Sequence, residues 1–305
     1  MSTDRDLAVA VIMTTYNAAG TVVGSVRSAL AQSYAGPMRV IVVDDGSSDD
    51  TLAALDTIGD SRLTVLRAGR VGRARALNAA LDEAHGSDLV ANLDADDYML
   101  PDRLRAQVEE FRADPTLGVL GSAYYEIHQA PDGSARTAFL VRPPTSGEVM
   151  RRQMAIGFPI CHSCATFRRD VAVQLGGYDP RRRARIDFDL WLRIASSGLD
   201  VRNAEPTLGV HVKRAGTYFD GQFRVLRSAG QMARLNLLAA HRLDLGPQGY
   251  AKAAARFAYS LQRRSSVKAT PRFSTLLAQV PDEVRDVTLA ATRGEEAVGR
   301  DADAH

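Results

Sequence analysis

The sequence predicts an α/β fold: a mostly parallel sheet flanked by helices, followed by a helical C-terminal extension. Three observations carry this expectation. Over roughly the first hundred residues, short β-branched runs alternate with segments of helical period, the pattern of strands joined through crossover helices. Beyond about residue 220, alanine, arginine and leucine dominate and strand signals stop. The composition is that of an ordinary globular chain, 45% hydrophobic and 24% charged over 305 residues, which excludes disordered and collagen-like architectures.

Taken in order, Leu7 to Met13 reads as a buried strand and Thr21 to Gln32 as a helix. Met38 to Val43 is a second strand, and Asp49 to Ile58 a helix with Ser48 placed to cap it. Leu63 to Leu66, Arg73 to His85 and Leu89 to Leu93 continue as strand, helix and strand. A helix then begins near Asp102. Further on, Val119 to Ile127 and Thr137 to Val141 read as strands around a turn at Pro131-Asp132-Gly133. Arg168 to Leu175 is a short helix stopped by Gly176-Gly177, and Phe188 to Ser197 a second one ending before Gly198. His211 follows a late strand. Helical periods run through Val225 to His241, Tyr250 to Arg263 and Thr275 to Ala290. The chain thus divides into residues 1–220 and a helical extension, 221–305.

Lysine and arginine total 38 against 36 acids, a net charge of +2, so nothing supports a nucleic-acid binder acting through bulk charge. Two cysteines, Cys161 and Cys164, are too few for a disulfide framework. A lone C-x-x-C is half a structural zinc site, and two reduced thiols is the simpler reading. Met1 to Asp6 shows no signal-peptide pattern, and no apolar run approaches the ~20 residues of a membrane helix. The expectation is a cytoplasmic chain, free or peripheral at a membrane.

Ligands of open parallel sheets bind outside the carboxyl ends of the strands. Here those ends read Thr14-Thr15-Tyr16-Asn17, Asp44-Asp45-Gly46-Ser47 and Asp94-Ala95-Asp96-Asp97. Any one acid could be a cap or turn former, and Asp97 could cap the helix near Asp102. Three acidic or polar strand ends on one edge instead point to a site, because converging carboxylates repel unless a cation or donor offsets them. A dinucleotide fold would need a glycine-rich turn after the first strand. Thr15-Tyr16-Asn17-Ala18-Ala19-Gly20 is not one, and G-x-x-x-x-G-K-S/T is absent. A bound diphosphate would need another source of positive charge. Mg²⁺ or Mn²⁺ on Asp94 and Asp96 would supply it, since these ions take few carboxylates and complete their shells with phosphate oxygens and water.

Four segments in order then resemble a known family: Val11-Ile12-Met13-Thr14-Thr15-Tyr16-Asn17; Val42-Val43-Asp44-Asp45-Gly46-Ser47; Leu93-Asp94-Ala95-Asp96-Asp97 with Pro101-Asp102-Arg103-Leu104; and Gly176-Gly177-Tyr178-Asp179 with Asp187-Phe188-Asp189-Leu190-Trp191-Leu192-Arg193. The sequence resembles a family 2 inverting glycosyltransferase of the GT-A fold over roughly residues 7 to 215. The resemblance implies a nucleotide-sugar donor, a divalent metal (Mn²⁺ or Mg²⁺), and an acceptor hydroxyl on a saccharide, a lipid-linked saccharide or a small molecule. By resemblance Thr14, Tyr16 and Asp45 hold the base, Asp94 meets the ribose and the metal, and Asp96 the metal and diphosphate. A carboxylate accepts from N3–H of uracil or thymine, so UDP- or dTDP-sugars are favoured and CDP is not, while guanine could also pair with an acid and leaves a GDP-sugar open. Arginine often precedes the asparagine matching Asn78 in the family, but Leu77 stands here. Arg73, one turn back on the same face, is the substitute, or else a solvent-facing arginine with Arg70 and Arg75.

The family motif usually carries Glu-Asp before its tryptophan-bearing helix, and this chain has Ile186-Asp187. Asp187 and Asp189 both compete for the role of base. Two residues on a helix are about 200° apart, so only one can face the cleft. Asp189 has Arg193 at i+4, a surface-pair spacing, and Asp187 has no such explanation. Asp187 is therefore the expected base. His162 matches a segment lining the sugar side, and His211 a position where some relatives bind metal or phosphate; an ordinary structural histidine explains either equally well. A processive membrane synthase would need membrane helices and Q-x-x-R-W, and a nucleotidylyltransferase a glycine-rich, lysine-bearing N-terminus. A non-catalytic nucleotide-sugar binding or assembly subunit is the alternative, favoured by the acid missing at Ile186. In the extension, Leu235, Leu237, Leu238 and Phe257 recur near helical spacing and predict packing on the rest of the chain or on a second copy in a homo-oligomer.

Overall fold

A computed structural model of the chain describes residues 5–129, 135–157, 159–182, 184–214 and 225–262. Strands β1 (Val9–Thr15), β2 (Met38–Asp44), β3 (Leu63–Arg67) and β4 (Leu89–Asn92) alternate with helices α1 (Val22–Leu30), α2 (Thr51–Asp56) and α3 (Arg73–Glu83). They pair in parallel in the order β3-β2-β1-β4. Both faces of these strands are covered. Ala10 and Ile12 of β1 point into one apolar cluster with Leu77 and Leu81 of α3. Val9, Val11 and Met13 point into the other, with Val22 and Val26 of α1. Burial on both sides is why these strands read as continuous apolar runs.

The second half is mixed rather than parallel. Strand β8 (Thr166–Arg168) runs antiparallel to β4 and to β6 (Leu117–Gln129). β6 pairs in parallel with β9 (Asp200–Arg214), and antiparallel with β7 (Ala135–Val141). The two-residue β5 (Tyr98–Met99) lies against β9. Pairing passes from Ala204 directly to Thr207 opposite Ser122 and Ala123. Glu205 and exposed Pro206 thus lie off the ladder, the position in which a sheet tolerates proline. His211 lies inside β9, not after it.

Helix α4 (Arg103–Ala113) starts where expected, but Asp102 is its N-cap residue and no side chain caps it. Likewise Asp50, not Ser48, precedes α2, and Asp49 instead bonds the Thr51 N–H at 3.1 Å. The segment expected as one helix from Arg168 is β8 followed by α6 (Arg169–Gln174). Helices α5 (Gly147–Met154) and α7 (Ile186–Ser196) complete the layer over the first apolar cluster. The helices Val225–Arg242 and Gly246–Gln262 follow. Leu235, Ala239 and Leu243 enter the core beside α7, and Asn236 donates to the Met154 carbonyl at 2.9 Å. Leu238 is half-buried against the same cluster, whereas Leu237 and Phe257 are exposed. The turn at 131–133 and the helical period 275–290 lie outside the described residues.

Candidate active site

Register places the ends of β1, β2 and β4 side by side, with Thr15 opposite Asp44 and Ile12 opposite Asn92. Asp44 is consumed locally: it accepts from the N–H of Gly46 (3.2 Å) and Ser47 (3.0 Å) and from the Ser47 hydroxyl. Asp45 is the outward-acting member of the pair. Its two oxygens accept from the Gly72 N–H at 3.1 Å, and a carboxylate so engaged still has lone pairs for a ligand donor. Thr14 is half-buried beside it. Tyr16 is 44% exposed, with the Arg70 guanidinium 3.4 Å from its ring centroid, a cation–π contact. Asn17, at φ 51, exchanges hydrogen bonds with Ser47 and Ser48 and so ties the first two strand ends together.

The acids after β4 separate into different environments. Arg73 Nη2 lies 2.5 Å from Asp94 Oδ1, so Arg73 faces the site. Burial raises the Asp94 carboxyl, but Arg73, His162 and His211 outweigh it and hold it below its ordinary value. Asp96 receives Arg214 Nη1 at 3.2 Å. Burial, together with the charges of Asp97 and Asp94, still pushes its carboxyl up to about 7 against Arg214 and His211. Asp97 is fully buried and does not cap α4. It accepts from the Val212 N–H (2.7 Å), from the Ser163 hydroxyl and from His211 Nδ1 (2.9 Å), pinning β9 and the turn His162–Cys164 beneath the strand end. Burial lowers the His211 pKa, but the charge of Asp97 and its hydrogen bond prevail and take it up to about 9. The ring is thus a cation bound to Asp97 in this arrangement.

His162 stands between two acids from distant segments: Nε2 is 3.7 Å from Asp94 Oδ1, and Nδ1 is 3.7 Å from Asp187 Oδ2. The Tyr178 hydroxyl donates to Asn92 Oδ1 at 3.0 Å, which turns the Asn92 amide toward His162 Nδ1 at 3.3 Å. That network assigns Nδ1 as acceptor and puts the proton on Nε2. Burial, against the pull of Asp94, lowers the His162 pKa and keeps the ring neutral. Thr15 Oγ1, Arg73 Nε and His162 Nε2 are buried at this edge without hydrogen-bond partners among the described residues. Arg182 Nε, Trp191 Nε1, Asn203 Oδ1 and Asn236 Oδ1 also lack hydrogen-bond partners among the described residues, but Arg73 and His162 flank Asp94, where an orphaned polar atom is what a ligand site leaves behind.

Asp189 turns away from this cluster. The sequence spacing suggested an exposed pair, but Asp189 is buried and binds both Arg193 Nε (2.9 Å) and Arg182 Nη2 (2.8 Å). Arg193 in turn donates to the carbonyls of Leu175 and Gly177, each at 2.6 Å. Asn78 accepts from Tyr178 N–H and donates to Tyr178 C=O, both at 2.8 Å. These bonds fix the Gly176-Gly177-Tyr178 turn, and through it the hydroxyl that orients Asn92. Asn92, Ser163 and Arg214 were not singled out from sequence, and Tyr178 stood in a family segment without a role. Of the first three, Asn92, a polar residue inside an apolar strand, carried a local signal.

Among the described residues no group of three or more His, Cys, Asp or Glu side chains is arranged to hold a metal ion. The carboxylate oxygens of Asp94 and Asp96 nevertheless suit Mg²⁺ or Mn²⁺, which bind one or two carboxylates and take the rest of their shell from phosphate and water. Asp96, the carboxylate least compensated by its neighbours, is where added positive charge gains most.

The family model for Glycosyl transferase family 2 matches residues 10–176, more than half of the chain. The match spans Thr14, Tyr16, Asp45, Arg73, Asp94, Asp96 and His162, and ends before Asp187 and His211. The chain therefore belongs to glycosyltransferase family 2 and is an enzyme of that kind. It is 30% identical over 205 residues to the amylovoran biosynthesis glycosyltransferase AmsE of Erwinia amylovora, covering 65% of this chain and 74% of that protein. It is 27% identical over 237 residues to the UDP-Glc:alpha-D-GlcNAc-diphosphoundecaprenol beta-1,3-glucosyltransferase WfaP of Escherichia coli, covering 77% of this chain and 89% of that one. Among solved structures, S. aureus TarS 1-349 superposes with a TM-score of 0.60 at 16% identity, over 94% of this chain and 81% of that fragment. The mannosyltransferase PcManGT from Pyrobaculum calidifontis, in complex with GDP-Man and Mn2+, does so with 0.56 at 23% identity, over 98% and 90%. These likenesses establish the GT-A fold. Among the described residues no helix is long and apolar enough to cross a membrane.

Proposed function

We propose that this chain transfers a sugar from a nucleotide-diphosphate donor, of the UDP or dTDP type, to an acceptor hydroxyl with inversion. Residues 1–220 act as the catalytic unit and 221–305 as an appended helical extension. The observation that carries the reading is the placement of His162 between Asp94 and Asp187, which brings a donor-side acid and an acid at the start of α7 to the two sides of one ring. Relatives support the donor class: WfaP is named for UDP-Glc, and a TarS structure contains UDP-GlcNAc.

Asp45 accepts the base N–H, Tyr16 offers its ring, and Thr14 lines the same pocket. Asp94 and Asp96 would hold a divalent cation, which when bound would offset the diphosphate's charge. Arg73 keeps Asp94 ionised and oriented. Asp187 takes the proton of the acceptor hydroxyl as its oxygen bonds to the anomeric carbon. The bond from that carbon to the β-phosphate oxygen breaks, and its electron pair leaves with the nucleoside diphosphate. Attack opposite the leaving group inverts the centre. Neutral His162 lines the sugar side between Asp94 and Asp187, and His211 holds Asp97 in place.

Asp96→Ala should abolish transfer and remove metal-dependent UDP binding, measured by calorimetry with Mn²⁺ and again with EDTA. UDP affinity that is the same in EDTA as in Mn²⁺ refutes the assignment.

A further inference from the structure

Both carboxylates assigned to the cation already hold an arginine, but they hold it differently. Arg73 meets Asp94 at 2.5 Å, with the charge of Asp187 also in its field. Arg214 meets Asp96 at 3.2 Å and also bonds the neutral hydroxyl of Tyr98. Tyr98 sits opposite Val210 on the neighbouring strand, so the brace belongs to the β5–β9 pair. Asp96 itself is crowded by Asp94 and Asp97. Of the two arginines, Arg214 has the longer contact, 3.2 Å against 2.5 Å for Arg73, while the two side chains are similarly exposed, 25% and 29%.

A guanidinium beside a carboxylate supplies the charge that a metal ion would supply, but the two cations repel each other when both approach it. A divalent ion bound at Asp96 therefore competes with Arg214 for the same acid. The displaced guanidinium does not travel far, since its strand is fixed by Val212 N–H on Asp97. It is left next to wherever a diphosphate meets that ion, and its planar fork matches phosphate oxygens in pairs.

We infer that Arg214 is an exchangeable counter-cation: it neutralises Asp96 in the free enzyme, yields that acid to the divalent ion, and turns to the donor's diphosphate. The inference rests on the metal-dependent donor site proposed above. It has a consequence that a purely structural brace lacks. Removing the arginine should affect two affinities in opposite directions, because one ligand competes with Arg214 and the other uses it.

The test uses the full chain, with melting midpoint and circular dichroism recorded for each variant. Free Mn²⁺ is titrated by electron paramagnetic resonance without nucleotide, and UDP and uridine by calorimetry at saturating Mn²⁺. Arg214→Gln should bind Mn²⁺ alone about threefold more tightly and UDP about tenfold more weakly, with uridine unchanged. Arg214→Lys, which keeps the charge but not the fork, should match the wild type for Mn²⁺ and bind UDP a few-fold more weakly. Mn²⁺ affinity that is unchanged or lower in Arg214→Gln overturns the exchange, as does unchanged UDP affinity. An Asp96→Ala protein that binds Mn²⁺ and UDP as the wild type does would overturn the donor-site reading and this inference together. Loss of both in Asp96→Ala, with Arg214→Gln indistinguishable from wild type, overturns the inference alone.

Discussion

Replacing Asp189 with asparagine keeps the side chain's shape and removes the charge shared by Arg182 and Arg193. The Asp189 side chain is 6% exposed, whereas Arg193 and Arg182 retain 18% and 27% exposure. Removing one partner of a fully buried ion pair costs about 3–5 kcal/mol. Here the arginines partly reach water, Arg193 keeps the carbonyls of Leu175 and Gly177, and asparagine still accepts one bond. That leaves a cost of about 2 kcal/mol. For a chain of this size it corresponds to a melting midpoint lower by roughly 5 °C. Trp191, the single tryptophan, is buried on the same helix and reports the transition by fluorescence. Donor affinity below the transition should be unchanged, because Asp189 faces away from Asp94 and His162. A shift worth less than about 0.5 kcal/mol, as for an exposed i,i+4 pair, refutes the burial argument. Lost turnover at an unchanged midpoint refutes the structural role.

Two further outcomes follow from packing. Gly177 has φ +62, and a Cβ there would lie 2.5 Å from Asn78 Oδ1; Gly177→Ala should therefore lower stability by about 2 kcal/mol in chemical denaturation. It should also reduce turnover through the displaced Tyr178, and a neutral substitution contradicts the clamp. A chain ending at Asp220 would uncover the core positions that Leu235, Ala239 and Leu243 cover. It should aggregate or melt several degrees lower in light scattering and calorimetry; a soluble monomer with full transfer activity contradicts this packing.

The legible part of the sequence is the part whose physics is local. β1, β2 and β4 are buried on both faces and so appear as apolar runs, and the acids after them announce the edge where they end. The separation of Asp187 from Asp189 also follows from helix geometry alone. Burial of Asp189 did not, because Arg182 reaches it from the preceding loop and i+4 spacing cannot distinguish a surface pair from a buried one. β8 has three residues and the turn His162–Cys164 three, too short for any period. β9 carries Pro206 on its bulge, which obscures a strand of 15 residues. Arg214 on Asp96 and His211 on Asp97 are pairings across the sheet, set by the β5–β9 and β6–β9 registers, and no sequence spacing encodes them.

The central claim is that Asp187 serves the acceptor's proton and not the donor's binding. Asp187→Asn retains the shape and the hydrogen bond to Phe188 N–H, 2.9 Å in the native chain. With a responsive acceptor, or slow donor hydrolysis as a proxy, turnover should fall by roughly 10² to 10⁴, the range for loss of a general base. UDP affinity in Mn²⁺ should stay within about threefold, because the base and diphosphate lie on other segments. Full turnover in Asp187→Asn, with turnover abolished instead in a still-folded Asp189→Asn, contradicts the account and exchanges the two roles.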